Sequence, residues 1–88
     1  MMTMVEQLKA ARFGVLIIIR QIETRWDAET YAVEESCYDV PTVTISGVTN
    51  TIRRDFIFKL FEELKGMDMP VELELFNSTA IFKFRYDI

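Results

Sequence analysis

The sequence predicts an α+β fold, a twisted antiparallel sheet with two helices packed on one face, in the order α-β-β-β-α-β-β. Three observations predict it. Val71–Tyr86 alternates apolar and charged residues on both sides of Asn77-Ser78, the pattern of a hairpin with one buried face. Residues 51–65 repeat apolar side chains at helical spacing between a polar cap and a glycine. Ahead of them, β-branched and alternating runs are punctuated by Pro41 and Gly47.

Taken in order, Thr3-Met4-Val5-Glu6 has the form of a capping box, with Thr3 as N-cap and Glu6 reaching back. Met4, Val5, Leu8 and Ala11 then recur at helical spacing and predict a short helix over 4–11. Phe13 to Arg25 reads as a long strand. Its Val15–Ile19 segment is apolar on both faces, as in a central strand covered from two sides, and from Arg20 onward it becomes mixed. Asp27-Ala28 supplies a tight reversal into a second strand over 29–38. Pro41, with fixed φ and no N–H, ends that run at an edge or turn. Thr42–Ser46 alternates strictly and forms a short third strand, with Gly47 as a turn or bulge.

Asn50 or Thr51 caps a second helix over 51–65, and Gly66 is placed to end it in the left-handed conformation. At 100° per residue, Phe56, Leu60, Leu64 and Met67 fall on one core stripe, flanked by Ile52, Ile57 and Phe61. Pro70 opens the final hairpin, Val71–Leu75 and Ile81–Tyr86. There Val71, Leu73 and Leu75 share a face with Phe82, Phe84 and Tyr86, while Glu72 and Glu74 share the other with Lys83 and Arg85. Such cross-strand pairs stabilise by roughly 0.2–1 kcal/mol each and fix the register.

Composition bounds the function. Eighty-eight residues, half of them apolar and seven of them Phe, suit one α+β domain over 1–88. A chain of this size buries roughly 60–65% of the surface it exposes when unfolded. The longest apolar stretch, Phe13–Ile19, is far short of the ~18 residues that read as a membrane span. It also lacks the cleavage site of a secretory signal, so Met1, Met2 and Met4 read as a cytoplasmic start.

One cysteine, Cys37, excludes an internal disulfide, and the absence of histidine excludes Ser-His and Cys-His nucleophiles and His metal ligands. Acidic neighbours raise rather than lower the pKa expected of Cys37. Glu34 and Glu35 point to opposite faces of a strand, and Glu72 and Glu74 have basic partners, so neither pair reads as acid–base machinery. No catalytic residue, metal or cofactor is implied. A pI near 4.7 argues against direct nucleic-acid binding, which needs clustered Lys and Arg.

Charge is unevenly placed. Residues 26–52 contain no Lys or Arg and hold Asp27, Glu29, Glu34, Glu35 and Asp39, a net −5 against −4 for the whole chain. Trp26, Tyr31 and Tyr38 share that stretch. In an unbroken strand the odd-numbered Asp27, Glu29, Glu35 and Asp39 align on one face, successive same-face positions lying about 6.7 Å apart. Such a row can imitate nucleic-acid phosphates in a partner's basic groove. The plainer reading is a solvated strand whose charges blunt a sheet edge.

Two further features stand out. Arg53 and Arg54 occupy the first turn of the second helix, where cations oppose the macrodipole by roughly 0.3–1 kcal/mol each. With Gly47 and the free N–H groups of that turn they suggest an anion site. The plainer reading pairs them with Asp55, Glu34 or Glu35. Phe58 falls nearly opposite the core stripe, among Arg54, Asp55, Glu62 and Lys65, and with Glu62 and Lys65 it suggests a homodimer contact.

The functional expectation is a non-enzymatic protein-binding module. Trp26, Asp27, Glu29, Tyr31, Glu34, Glu35 and Asp39 dock on a basic partner, such as a nucleic-acid-binding protein, with no membrane contact. Small size, local acidity and absent catalytic groups suit an acidic inhibitor or decoy that mimics DNA, of the kind encoded by viruses and mobile elements. The alternatives are a small anion-binding regulatory domain and a structural homo-oligomer.

Overall fold

The computed structural model describes residues 3–36 and 41–85. Thr3 opens the first helix as its sequence predicts, its hydroxyl accepting the Glu6 N–H at 3.2 Å and donating to Glu6 Oε1 at 3.1 Å. The helix does not stop at residue 11. It continues as α1, Met4–Arg25, through the segment expected to be a strand. The order is therefore α-β-β-α-β-β, with one strand fewer than the sequence suggests.

The reason lies in spacing. Ala11, Val15, Ile18 and Ile22 are all buried and follow one another at intervals of four, three and four residues, a helical stripe. Leu16 remains 53% exposed on the far side, so the run from Val15 to Ile19 is not covered on two sides. Burial of one continuous stripe outweighs the strand preference of β-branched residues, which spans only ~1 kcal/mol and depends on context. Gly14 permits the contact. A Cβ there would lie 2.6 Å from Phe84 Cε1 and 2.9 Å from the Met69 sulfur, so the helix can approach the sheet this closely only without a side chain. Despite its length, neither α1 nor any other helix among the described residues is long and apolar enough to cross a membrane.

After α1, residues 27–30 form a turn rather than the start of a strand. Thr30 N–H donates to the Asp27 carbonyl at 2.8 Å, and Asp27 Oδ1 accepts the Glu29 N–H at 3.3 Å. Strand β1 is Ala32–Ser36, shorter than expected at its start. Cys37, Tyr38 and Asp39 lie outside the described residues. Strand β2, Thr42–Ser46, alternates as the sequence predicts.

Helix α2 spans Thr51–Gly66 and is capped by Asn50, whose Oδ1 accepts the Arg53 N–H at 2.9 Å. Gly66 remains within the helix, and the left-handed residue is Asp68, with φ 58°. The buried side of α2 is also rotated from the expected stripe. Ile57, Leu60 and Leu64 are buried, whereas Met67 is 49% and Ile52 81% exposed.

The closing hairpin matches its sequence most closely. β3, Val71–Phe76, and β4, Thr79–Phe84, meet at Asn77 and Ser78, whose φ values of 46° and 62° fit a type I′ turn. Glu72 stands opposite Lys83 and Leu73 opposite Phe82. The ion pairs run diagonally, Lys83 to Glu74 and Arg85 to Glu72, each at 3.0 Å. Tyr86 lies outside the described residues.

The sheet order is β1-β2-β4-β3, antiparallel throughout. Val43, Ile45, Val71, Ala80, Phe82 and Phe84 are buried in one cluster with the inward residues of both helices. Their alternates Thr42, Thr44, Glu72, Glu74 and Lys83 point to the other side and stay partly or fully exposed. Strand β1 is thus one edge of the sheet, and its acidic residues are carried there by topology.

Candidate functional site

The acidic edge follows from register. Val33 stands opposite Ile45 and turns inward, half-buried, while Glu34 stands opposite Thr44 and points to the open face. Glu35 stands opposite Val43 and so projects on the helix-bearing side. Asp27 and Glu29 belong to the preceding turn. The single row of odd-numbered carboxylates is therefore not formed, because the strand begins only at Ala32 and the chain from 27 to 30 is bent. Asp27, Glu29, Glu34 and Glu35 are nonetheless all exposed, and Glu29 and Glu34 have no ion pair among the described residues. Asp39 lies outside the described residues.

Trp26 and Tyr31 of this stretch pack against each other, and Trp26 packs against α2. Trp26 closes α1, its backbone N–H donating to the Ile22 carbonyl at 2.9 Å. Its ring meets Tyr31 edge-on at 5.9 Å between centroids and Phe56 of α2 at 6.0 Å. Trp26 and Tyr31 are half-buried against the core. They pack the turn that carries Asp27 and Glu29 against the core while staying partly exposed.

Arg53 completes this cluster. Its guanidinium lies over the Trp26 ring at 4.6 Å. Nη1 donates to the Gly47 carbonyl at 2.6 Å and the Thr30 carbonyl at 3.0 Å, and Nη2 donates to Thr30 Oγ1 at 2.6 Å. One side chain thus ties the start of α2 to the loop after β2 and to the turn before β1. Gly47, at φ 89°, is needed for the same reason, since a Cβ there would collide with the Thr30 carbonyl. Among the described residues, Arg53 forms no ion pair with Asp55 or Glu34, and its donors are directed at two backbone carbonyls and the Thr30 hydroxyl. Arg54 is exposed and does not share this cluster.

The cation that does join Arg53 is Arg25, which no motif in the sequence marks. Its guanidinium lies 4.9 Å from the centre of the Phe56 ring. Arg25, Trp26, Asn50, Ile52, Arg53 and Phe56 line a cavity of about 470 Å³. A separate, smaller hollow of about 180 Å³ shares Arg25 and Phe56 and is lined also by Gln21, Lys59, Leu60 and Glu63. Reading residues 13–25 as a strand concealed the association, because only a continuous α1 brings Arg25 to the start of α2.

On α2, Phe58 is 48% exposed, and Arg54, Asp55, Glu62 and Lys65 are exposed with it, as helical geometry predicts. Among the described residues no three acidic, cysteine or histidine side chains gather as metal ligands. Compared with known proteins, the chain matches no family model and no curated protein sequence.

Proposed function

We propose that the chain is a non-enzymatic protein-binding module whose acidic edge docks on a basic partner surface, in the manner of a small inhibitor or decoy that occupies a nucleic-acid site. The observation that carries this reading is the exposure of Asp27, Glu29, Glu34 and Glu35 along β1 and its entry turn, in a window without a Lys or Arg. A surface serving solubility alone usually interleaves both signs. The Debye length is ≈ 8 Å at physiological salt, so neighbouring carboxylates on one short edge act together on an approaching cationic surface. Arg53, Trp26 and Tyr31 support the edge by fixing the turn that presents Asp27 and Glu29. The split of Glu34 and Glu35 between two faces favours a partner that wraps the edge over one that reads a flat row.

Capture from a host lysate by the immobilised chain, with Glu29→Lys/Glu34→Lys as control, tests the reading. The expected result is retention of basic proteins at about 50 mM salt, release near 0.5 M and competition by duplex DNA. Retention of the same proteins by the charge-reversed chain, or release that ignores salt, contradicts it.

A further inference from the structure

We propose that the cavity between the end of α1 and the start of α2 binds a small amphipathic oxyanion, a carboxylate or phosphate carried on an apolar, ring-sized body. The site shares Trp26 and Arg53 with the cluster behind the acidic edge but contains none of that edge's carboxylates, and it does not rest on the docking function proposed for the edge. Its volume of about 470 Å³ lies within the 300–1,000 Å³ typical of small-molecule sites. Its lining contains two guanidiniums and no carboxylate, within a chain whose net charge is −4.

The two arginines are prepared differently. Arg53 is held by three hydrogen bonds, which use three of the five guanidinium N–H groups and leave Nε–H and one Nη2–H. The Arg25 side chain makes no hydrogen bond or ion pair among the described residues, and its guanidinium carbon lies 4.9 Å from the centre of the Phe56 ring. A guanidinium above a ring engages it through its charge, and N–H donors with no other partner remain able to grip a carboxylate or phosphate with two parallel bonds. A fixed cation and a second one with uncommitted donors therefore border the same space.

The apolar half of the ligand follows from Ile52. It is 81% exposed at the rim, the most exposed of the large hydrophobic side chains among the described residues, and Trp26 and Phe56 continue the apolar lining. A bare inorganic anion leaves Ile52 in water, and a neutral apolar molecule leaves two guanidiniums uncompensated. A ligand that carries both groups satisfies both.

Trp26 is the only tryptophan in the chain, so its emission reports on the cavity directly. The full chain is titrated with phenyl phosphate and with benzoate, and with benzyl alcohol and inorganic phosphate as the neutral and bodiless controls. The expected result is a saturable change in Trp26 emission with at least one aryl anion, the tighter of the two identifying the head group. Both controls should bind at least about tenfold more weakly. Arg25→Gln should weaken the aryl anion by about tenfold or more. Ile52→Ser should weaken it several-fold. Both side chains are exposed, so both variants should stay folded, Ile52→Ser close to the parent Tm and Arg25→Gln within roughly 8 °C of it, for the cation–π contact it gives up. A non-saturating response to both aryl anions overturns the proposal, as does parental affinity in both variants or controls that bind as tightly as the aryl anions.

Discussion

Replacing Arg53 tests whether its guanidinium holds the turn and loop together. In Arg53→Ala, the Gly47 and Thr30 carbonyls and the Thr30 hydroxyl each lose a charged donor, and the cation over Trp26 disappears. A hydrogen bond to a charged group contributes ≈ 1.5–3 kcal/mol when buried. Only the Gly47 bond is part-buried, the two to Thr30 being exposed, so the lower figure applies once and the others add a few tenths each. An exposed cation–π contact adds ≈ 0.5–1 kcal/mol. The total loss is about 2.5 kcal/mol, or roughly 10–20 °C in Tm for a chain of this size. Urea unfolding followed by far-UV circular dichroism measures the loss, and Trp26 emission reports the local change. Arg53→Lys should recover less than half, because a point donor cannot span Gly47 and Thr30 as a planar fork does. A loss under ~0.5 kcal/mol for the alanine variant, or full recovery with lysine, refutes the clamp.

Other consequences follow from local geometry. Ser78→Gly relieves a left-handed residue at φ 62° in the hairpin turn and should raise stability by about 0.5–1 kcal/mol by urea unfolding. Asn50→Ala removes the cap on the Arg53 N–H and should cost about 1 kcal/mol in the same assay. Phe58→Glu should leave the fold intact, since the ring is 48% exposed, and if the parent sediments as a dimer the variant should sediment as a monomer.

The hairpin was legible in the sequence because two independent patterns agree there. Alternation places Leu73 and Phe82 inside, and opposite charges at Glu72, Glu74, Lys83 and Arg85 fix how the strands slide. Helix α1 was not, because Phe13–Ile19 is apolar all round and so carries no period of its own. The decisive partners, Phe84 and Met69 against Gly14, lie some seventy and fifty-five residues away along the chain. The phase of α2 was blurred for a similar reason, as apolar residues on three sides of it leave the sheet and Trp26 to choose which are buried. Exposure of Glu29, Glu34 and Glu35 followed from composition. The fate of Arg53 did not, because its acceptors, two backbone carbonyls and the Thr30 hydroxyl, are marked by no sequence pattern.

The most direct measurement of the acidic-edge proposal is the salt dependence of affinity for a captured basic partner, made on the parent and on Glu29→Lys/Glu34→Lys in parallel. The expected result is a parent Kd that weakens about tenfold or more between 50 and 300 mM salt. Binding of the charge-reversed chain should be lost at both salts while its Tm stays within about 4 °C of the parent, as surface substitutions usually allow. A parent Kd that is flat with salt and unchanged by the reversal contradicts docking through this edge.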